Sequence, residues 1–448
     1  MKKKYFFLVL TISLFSHLLF FGFPREVVFD ESFFGKFSQD YLKGKYFFDI
    51  HPPLGKMLIA GTAKIMGFSH FHEYWRVGQY STDDYLILRA LPLVAGIFLG
   101  PLLYLVARKL RFSERASVLA GVFASMDSAL VTQSRFILID SLLLLFGLLS
   151  IYFFLGFRES FRNRDLFAAG FFGIAATSVK WTGLGFLGLI IFFWLLLLPK
   201  SKDKKSYLVK GILVLVAVPA VFYFSVFTLH FHLLGKAGDD FLHTPAFRKT
   251  LEGSAFGDNP NIKPLSNFEK FIEENSVMYI ENKKLGVTHD YSSKWYSWPF
   301  LGKSVFYWGG SDGVRLTEIR LLGNPVIWWS GFLSAVGLFG ILAISFFRRT
   351  ASLRKGRSEK DMPLLKTEFV PLFVVAGFLM NFIPFIFIHR YMFSYHYLPA
   401  LLFSILALGY LVDKLKNNKK ILFFLYAEAV LFYLILFPLT YGISMAVR

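Results

Sequence analysis

The chain has 448 residues, of which 55% are hydrophobic, 19% aromatic and only 18% charged. That balance excludes an ordinary soluble enzyme, and 56 Phe exclude a disordered chain. No Cys is present, so disulfides, thiolate metal sites and Cys nucleophiles are excluded. The net charge of +19 would suit nucleic acid if it formed one basic surface, but it does not. Six short stretches (1–4, 108–115, 158–165, 200–210, 348–368 and 413–420) hold 26 of the 49 Lys and Arg and 8 of the 30 Asp and Glu. Nearly all the excess charge therefore flanks apolar runs, as the positive-inside rule expects of membrane loops.

A membrane-spanning helix needs about 20 mostly apolar residues. In chain order the candidates are 5–23, 89–107, 116–134, 136–157, 166–180, 181–199, 211–229, 325–347, 369–388, 392–412 and 421–440. The reading is an all-α polytopic membrane protein of about eleven helices, a single domain over 1–448. Residues 1–23 look like a signal peptide, with Lys2, Lys3 and Lys4 before an apolar run. The run is long for such a segment and no A-x-A site follows, so it reads as an uncleaved first span. With the N-terminus inside, all six basic stretches fall inside. Two long loops, 24–88 and 230–324, fall outside with most of the acidic residues, so any chemistry is expected there.

The first outer loop reads FDESFFGKFSQDYLKGKYFFDIHPPLGK over 29–56. Asp30 and Glu31 are adjacent acids just beyond the first span, which alone could be a solvated pair. HPPLGK at 51–56 is more specific. Pro52 and Pro53 fix two φ values and hold His51 extended, Gly55 permits close backbone approach, and Lys56 adds a cation beside the membrane.

These strings resemble the protein O-mannosyltransferase family, of the GT-C class of membrane glycosyltransferases, in its shorter, prokaryotic-type form. The acidic pair followed by a Phe-Gly step and FFDIHPPLGK is similar to that family's first-loop signature. MDSALVTQSRFILIDS (126–141), SVKWTG (178–183), HFHLLGKAGDDFLHTPAFRKTLEG (230–253), HDYSSKWYSWP (289–299), GNPVIWW (323–329) and RYMFSYHYLPAL (390–401) resemble its later segments, in family order. Two departures stand out. Asp290 follows His289 where the family has Pro, and the large outer loop has no room for the β-trefoil MIR domain of eukaryotic members.

The resemblance implies inverting transfer of mannose from a polyprenyl-phosphate-mannose donor to a Ser or Thr hydroxyl of a protein on the outer face. The chemistry has its own demands. A lipid tail needs a catalyst made of spans. An alcohol acceptor gains from a general base, typically ~10²–10⁴-fold. A phosphate leaving group needs fixed cations, and the anomeric carbon gains positive character that a carboxylate stabilises. The family's acidic pair maps onto Asp30 and Glu31. Asp30 is expected as base ahead of Glu31, since adjacent acids on an extended segment point apart.

Donor-phosphate candidates on the outer side are Arg135, Lys180 and Arg390, in that order. Arg suits bidentate phosphate contact, whereas Lys acts as a point charge. The plainer readings are an Arg135 ion pair with Asp127 or Asp140, and snorkelling of Lys180 and Arg390 to the interface. His51 is expected to touch sugar or phosphate or to cap local structure. Lys56 reads as an interface anchor. Trp295, Tyr296, Trp298, Phe306, Tyr307 and Trp308 read as an interfacial aromatic belt, with His289 and Tyr291 beside it as acceptor contacts.

No P-loop, HExxH or Gly-rich nucleotide turn occurs, and no carboxylate spacing specifies a metal, so neither metal nor cofactor is expected. The implied partners are the lipid donor, a Ser/Thr-containing acceptor, membrane lipids and a second chain in a homo- or hetero-dimer, with no nucleic acid. The implied location is a prokaryotic plasma membrane. The rival readings are a GT-C enzyme acting on a lipid or glycan acceptor, and a transporter. Transporters often carry internal repeats and midplane charges, and no repeat is visible here.

Overall fold

A computed structural model describes residues 3–446 except 72–74, 80–83, 201–202, 239–240, 287–288, 312–314, 355–368 and 416–417. Helix α1 (Lys3–Leu18) leads to the first outer loop, which folds as α2 (Glu31–Lys43) and α3 (Leu54–Ile65). Then come α4 (Tyr85–Lys109), α5 (Glu114–Met126), α6 (Ser128–Ser134), α7 (Asp140–Ser160), α8 (Asn163–Val179) and α9 (Leu184–Leu197). α10 (Lys204–Ile212) continues through a π-helical stretch, Leu213–Ala217, into α11 (Val218–Leu233). The second outer loop holds α12 (Pro245–Arg248), α13 (Asn267–Lys284) and the strands β1 (Val305–Ser311) and β2 (Arg315–Leu321). α14 (Pro325–Arg354), α15 (Phe369–Phe382), α16 (Leu398–Lys414), α17 (Asn418–Tyr441) and a short β3 (Met445–Ala446) complete the chain.

Every apolar stretch picked from the sequence is helical, but the count of eleven spans is not reached by length. Among the described residues seven helical stretches are long and apolar enough to cross a membrane, or eight with α5 and α6 as one span bent by 54°. α1 has 16 residues, α8 has 17, and the apolar helix Trp181–Leu197 is likewise short. The bend has a local cause. Asp127 is extended, and its carboxylate accepts the Leu130 N–H at 3.1 Å, ending α5 and capping α6. The same carboxylate takes the Asn324 N–H at 3.1 Å and the Trp328 indole N–H at 2.8 Å, so Asp127 ties the entry of α14 to this break.

α4, α7 and α16 are enclosed by other helices, whereas α11, α14 and α17 turn large apolar side chains outward. Val221, Phe347 and Phe423 are each about two-thirds exposed, at 65%, 69% and 68%, a pattern that suits lipid and not water. Close helix crossings rest on small residues, the usual device in membranes. A Cβ on Gly100 of α4 would lie 2.7 Å from the Gly121 carbonyl of α5.

The two outer loops interlock at one end of the bundle. Lys236 forms parallel bridges with Lys45 and Glu252, and the Tyr46 hydroxyl donates to Glu274 of α13 at 2.5 Å. β1 and β2 pair antiparallel, Val305 opposite Leu321, with β3 at the free edge of β2. A register shift between Phe306 and Trp308 leaves Tyr307 as the extra residue. Such a bulge re-aims its side chain, and Tyr307 is fully buried toward the helices.

Candidate active site

Phe29 has φ +42°, a left-handed conformation costly for a bulky residue. Its surroundings enforce it. Its N–H donates to the Tyr307 carbonyl at 3.1 Å, and its ring stacks on Tyr307 at 4.7 Å. The strained step sets the directions of the next two residues, at the start of α2.

Glu31 points inward and is 1% exposed. Arg89 donates from Nε and Nη2 to its two oxygens, both at 2.7 Å. The backbone N–H groups of Val28 and Ile137 add bonds at 2.9 and 2.8 Å. With both oxygens engaged, Glu31 is a structural pin and has no free lone pair aimed at a substrate, which departs from its expected role as second choice of base. Arg89 was not singled out from sequence, though a charge at the head of a span is a recognisable signal.

Asp30 points the other way. Its carboxylate has no hydrogen bond or ion pair among the described residues and lines a cavity of about 440 Å³. Burial raises its pKa to about 7; the nearby Lys180 charge pulls it down, and Asp140 and Asp49 push it up. The pair diverges as expected, but at a helix start and not on an extended strand.

His51 lies between two proline-fixed residues and the cavity. Burial holds its imidazole well below the ordinary histidine range, with Lys180, Lys56 and Arg390 acting in the same direction. Lys56 is not an interface anchor. It lies in the first turn of α3, is 1% exposed, pairs with Asp49 and donates to the His51 carbonyl at 2.7 Å. Gly55 lets α3 approach Ile139 and Val179, where a Cβ would lie 2.9–3.0 Å from their side chains.

Lys180 ends α8 in extended backbone and does not snorkel. Its ammonium meets Asp140 Oδ1 and Oδ2 at 2.9 and 2.8 Å. Asp140 also accepts from Gln133 Nε2 at 2.8 Å, and the Gln133 carbonyl oxygen accepts from the Tyr307 hydroxyl. Asp140 therefore pairs with Lys180, not with Arg135.

Arg390 lies in the turn before α16, pinned by two backbone bonds to the second outer loop. Tyr391 N–H donates to Gly286 O and Ser293 N–H to Met392 O, both at 2.8 Å. The Arg390 guanidinium has no hydrogen bond or ion pair among the described residues. It lines both the first cavity and a second of about 570 Å³, which Asp140, Lys180, Trp181, Leu143 and Pro399 also line. Ile50, His51, Arg390, Tyr395 and His396 form the wall shared by the two. Tyr395 packs under the Lys180 ammonium at 5.2 Å and stacks on His396 at 4.7 Å.

The structure thus brings Asp30, His51, Lys180 and Arg390 together. His289 joins them at the rim of the first cavity, its ring edge-on to Phe393 at 5.1 Å. Arg135, the first choice for phosphate, lines neither cavity. It is 1% exposed and donates to the carbonyls of Thr440 and Phe20 at 2.9 and 2.6 Å, against the Tyr441 ring. Tyr291 is also outside the cavities, stacked on Phe306 at 5.6 Å. Of the aromatic belt, Trp298 and Tyr307 are buried inside the protein. Asp49, Tyr395 and His396 lie within motifs noted from sequence but were not chosen. Among the described residues no cluster of three His, Asp or Glu could hold a metal ion.

The backbone superposes on the Saccharomyces cerevisiae protein O-mannosyltransferase Pmt1–Pmt2 complex bound to the sugar donor with TM-score 0.87 at 20% identity, covering 98% of this chain and 90% of that one. It also matches ArnT from Cupriavidus metallidurans bound to undecaprenyl phosphate, with TM-score 0.53 at 14% identity, over 96% of this chain and 63% of that one. The fold is that of a GT-C membrane glycosyltransferase.

Residues 7–235 match the family described as dolichyl-phosphate-mannose-protein mannosyltransferase, and residues 267–447 match the C-terminal four-span region of protein O-mannosyltransferase. The chain belongs to the protein O-mannosyltransferase family. It is 34% identical to Drosophila melanogaster Protein O-mannosyltransferase 1 over 51% of this chain, but spans only 28% of that protein's length. It is 22% identical to Saccharomyces cerevisiae dolichyl-phosphate-mannose–protein mannosyltransferase 1 over 87% of this chain and 74% of the relative.

Proposed function

We propose that the chain transfers mannose from a polyprenyl (dolichyl-type) phosphate mannose donor to Ser and Thr hydroxyls of proteins, on the outer face of the membrane. One observation carries the reading: the Asp30 carboxylate and the Arg390 guanidinium, neither with a hydrogen bond or ion pair among the described residues, line adjoining cavities with a common wall. The named activities of the family relatives support the same substrate class.

In this reading the second cavity takes the lipid phosphate. Lys180, held by Asp140, and Arg390 stabilise the charge that develops there. The sugar straddles the shared wall at His51 and Tyr395. The acceptor hydroxyl enters the first cavity, past His289, and Asp30 takes its proton. The acceptor oxygen bonds to the anomeric carbon as the sugar–phosphate C–O bond breaks. The electron pair leaves on polyprenyl phosphate, and configuration inverts.

The proposal includes a prokaryotic plasma membrane as the location, a reading supported by the outer loop at 230–324, which has no room for a MIR domain. Pairing with a second chain of this family belongs to the proposal, supported by the two-chain yeast relative. The test is incubation of membranes carrying the protein with labelled polyprenyl-phosphate-mannose and a Ser/Thr-rich peptide. Alkali-labile label on the peptide is expected. Label confined to lipid or glycan would move the acceptor assignment to that class.

A further inference from the structure

Helix α13 carries charged side chains on its inward face and large apolar ones among its outward side chains. Its charged Lys270 and Glu274 face inward, 5% and 3% exposed, with Met278. Glu274 accepts from the Tyr46 hydroxyl and lies 2.8 Å from His243 Nε2, and Lys270 lies over the Phe231 and Phe247 rings. Its outward stripe is apolar: Phe268 is 62% exposed, Ile272 49% and Tyr279 54%. At 100° per residue these three share an arc of about 40°. Large exposed apolar side chains aligned on one helix face in this way mark a membrane or partner surface.

Its position selects the membrane. α13 packs on α11 through Phe224 and Phe227, which contact Phe271 at 5.3 and 5.4 Å, and the exposed Phe268 ring sits 6.2 Å from Phe224. Tyr223 donates to Asn275 at 2.9 Å. These α11 residues lie within the apolar run 211–229, about two turns inside the helix end at Leu233. The stripe therefore adjoins a spanning helix whose Val221 and Leu229 side chains also turn outward. Lys283 and Lys284 follow at the C-terminal turn, where cations meet lipid headgroups.

We propose that α13 lies in the outer headgroup boundary with its Phe268–Ile272–Tyr279 stripe in lipid, and that its last turn forms the lipid-side lip of the larger cavity. Tyr279, Asn282 and Lys283 line that cavity. The lip assignment rests on the reading that this cavity takes the lipid donor; the membrane placement does not.

The absence of Cys makes the test direct. Single-Cys variants Phe268→Cys, Ile272→Cys and Lys263→Cys, spin-labelled in phospholipid nanodiscs, are compared for collision with oxygen and with a water-soluble nickel chelate. Labels at 268 and 272 are expected to favour oxygen, and the label at 263 the chelate. Chelate-favouring labels at 268 and 272 would overturn the placement. So would labels shielded from both reagents together with spin–spin broadening between copies, which would mean that a second chain covers the stripe. For the lip, Ile272→Asp should raise KM about tenfold for a long-chain donor and leave KM for a short, soluble-chain donor unchanged. An equal rise for both donors would overturn it.

Discussion

Arg89 grips both carboxylate oxygens of Glu31 at 2.7 Å, and this buried pair fixes the direction of the neighbouring Asp30. Two adjacent acids of similar chemistry thus differ entirely in availability. Removing one partner of a buried ion pair leaves an uncompensated charge, at a cost of about 3–5 kcal/mol. Arg89→Ala and Glu31→Gln should therefore lower Tm and the yield of folded protein, read by thermal unfolding in detergent. Asp30→Asn should not lower Tm.

Asp30 also sets the pH dependence. Its pKa of about 7 lies well above the ordinary carboxylate value because burial disfavours the charged form. A general base works deprotonated, so kcat/KM should rise from pH 5.5 to 8 with a midpoint near 7 and then level off. Stability runs the opposite way. A carboxyl whose folded pKa is raised contributes its full stability only below its ordinary value of 3.8, and that contribution is lost progressively as pH rises from there to about 7. Asp30→Asn should remove this loss, so its Tm should exceed that of wild type at pH 8.

The cations separate into three kinds. Arg390 has no ion pair among the described residues and lines both cavities, so Arg390→Ala should raise donor KM about 10–100-fold with little change in Tm. Arg135 is bound to the Thr440 and Phe20 carbonyls, so Arg135→Ala should lower Tm while the folded fraction keeps its donor KM. Lys180 does both jobs. Asp140→Asn should weaken donor binding and lower Tm together, because it loosens Lys180 and disturbs the Gln133–Tyr307 chain. Equilibrium donor binding and thermal unfolding on the same preparations distinguish the three.

Much of this was legible in the sequence, and the limits have physical causes. Apolar run length located the helices of the bundle but not α2, α3, α12 and α13 of the outer loops, and it did not reveal that Asp127 caps a break between α5 and α6. Charge distribution pointed to the outer loops, where the cavities lie. What a linear reading lacks is the identity of each charge's partner. Arg135 and Arg390 both sit in outer turns, and only folding decides that one meets carbonyls of α17 and of the turn after α1 while the other faces open space. Lys56 and Asp49 are seven residues apart, yet their pairing depends on the two prolines turning the chain between them. Tyr307 read as an interfacial aromatic because the bulge that buries it is invisible before β1 and β2 pair.

The central claim is that Asp30 acts on the acceptor and not on donor binding. Donor binding and single-turnover transfer to a Ser/Thr peptide, measured side by side for wild type and Asp30→Asn at pH 7.5, test it most directly. The account predicts an unchanged donor Kd and a transfer rate reduced by about 10²–10⁴-fold. Transfer at the wild-type rate, or a loss of transfer fully explained by lost donor binding, would contradict it.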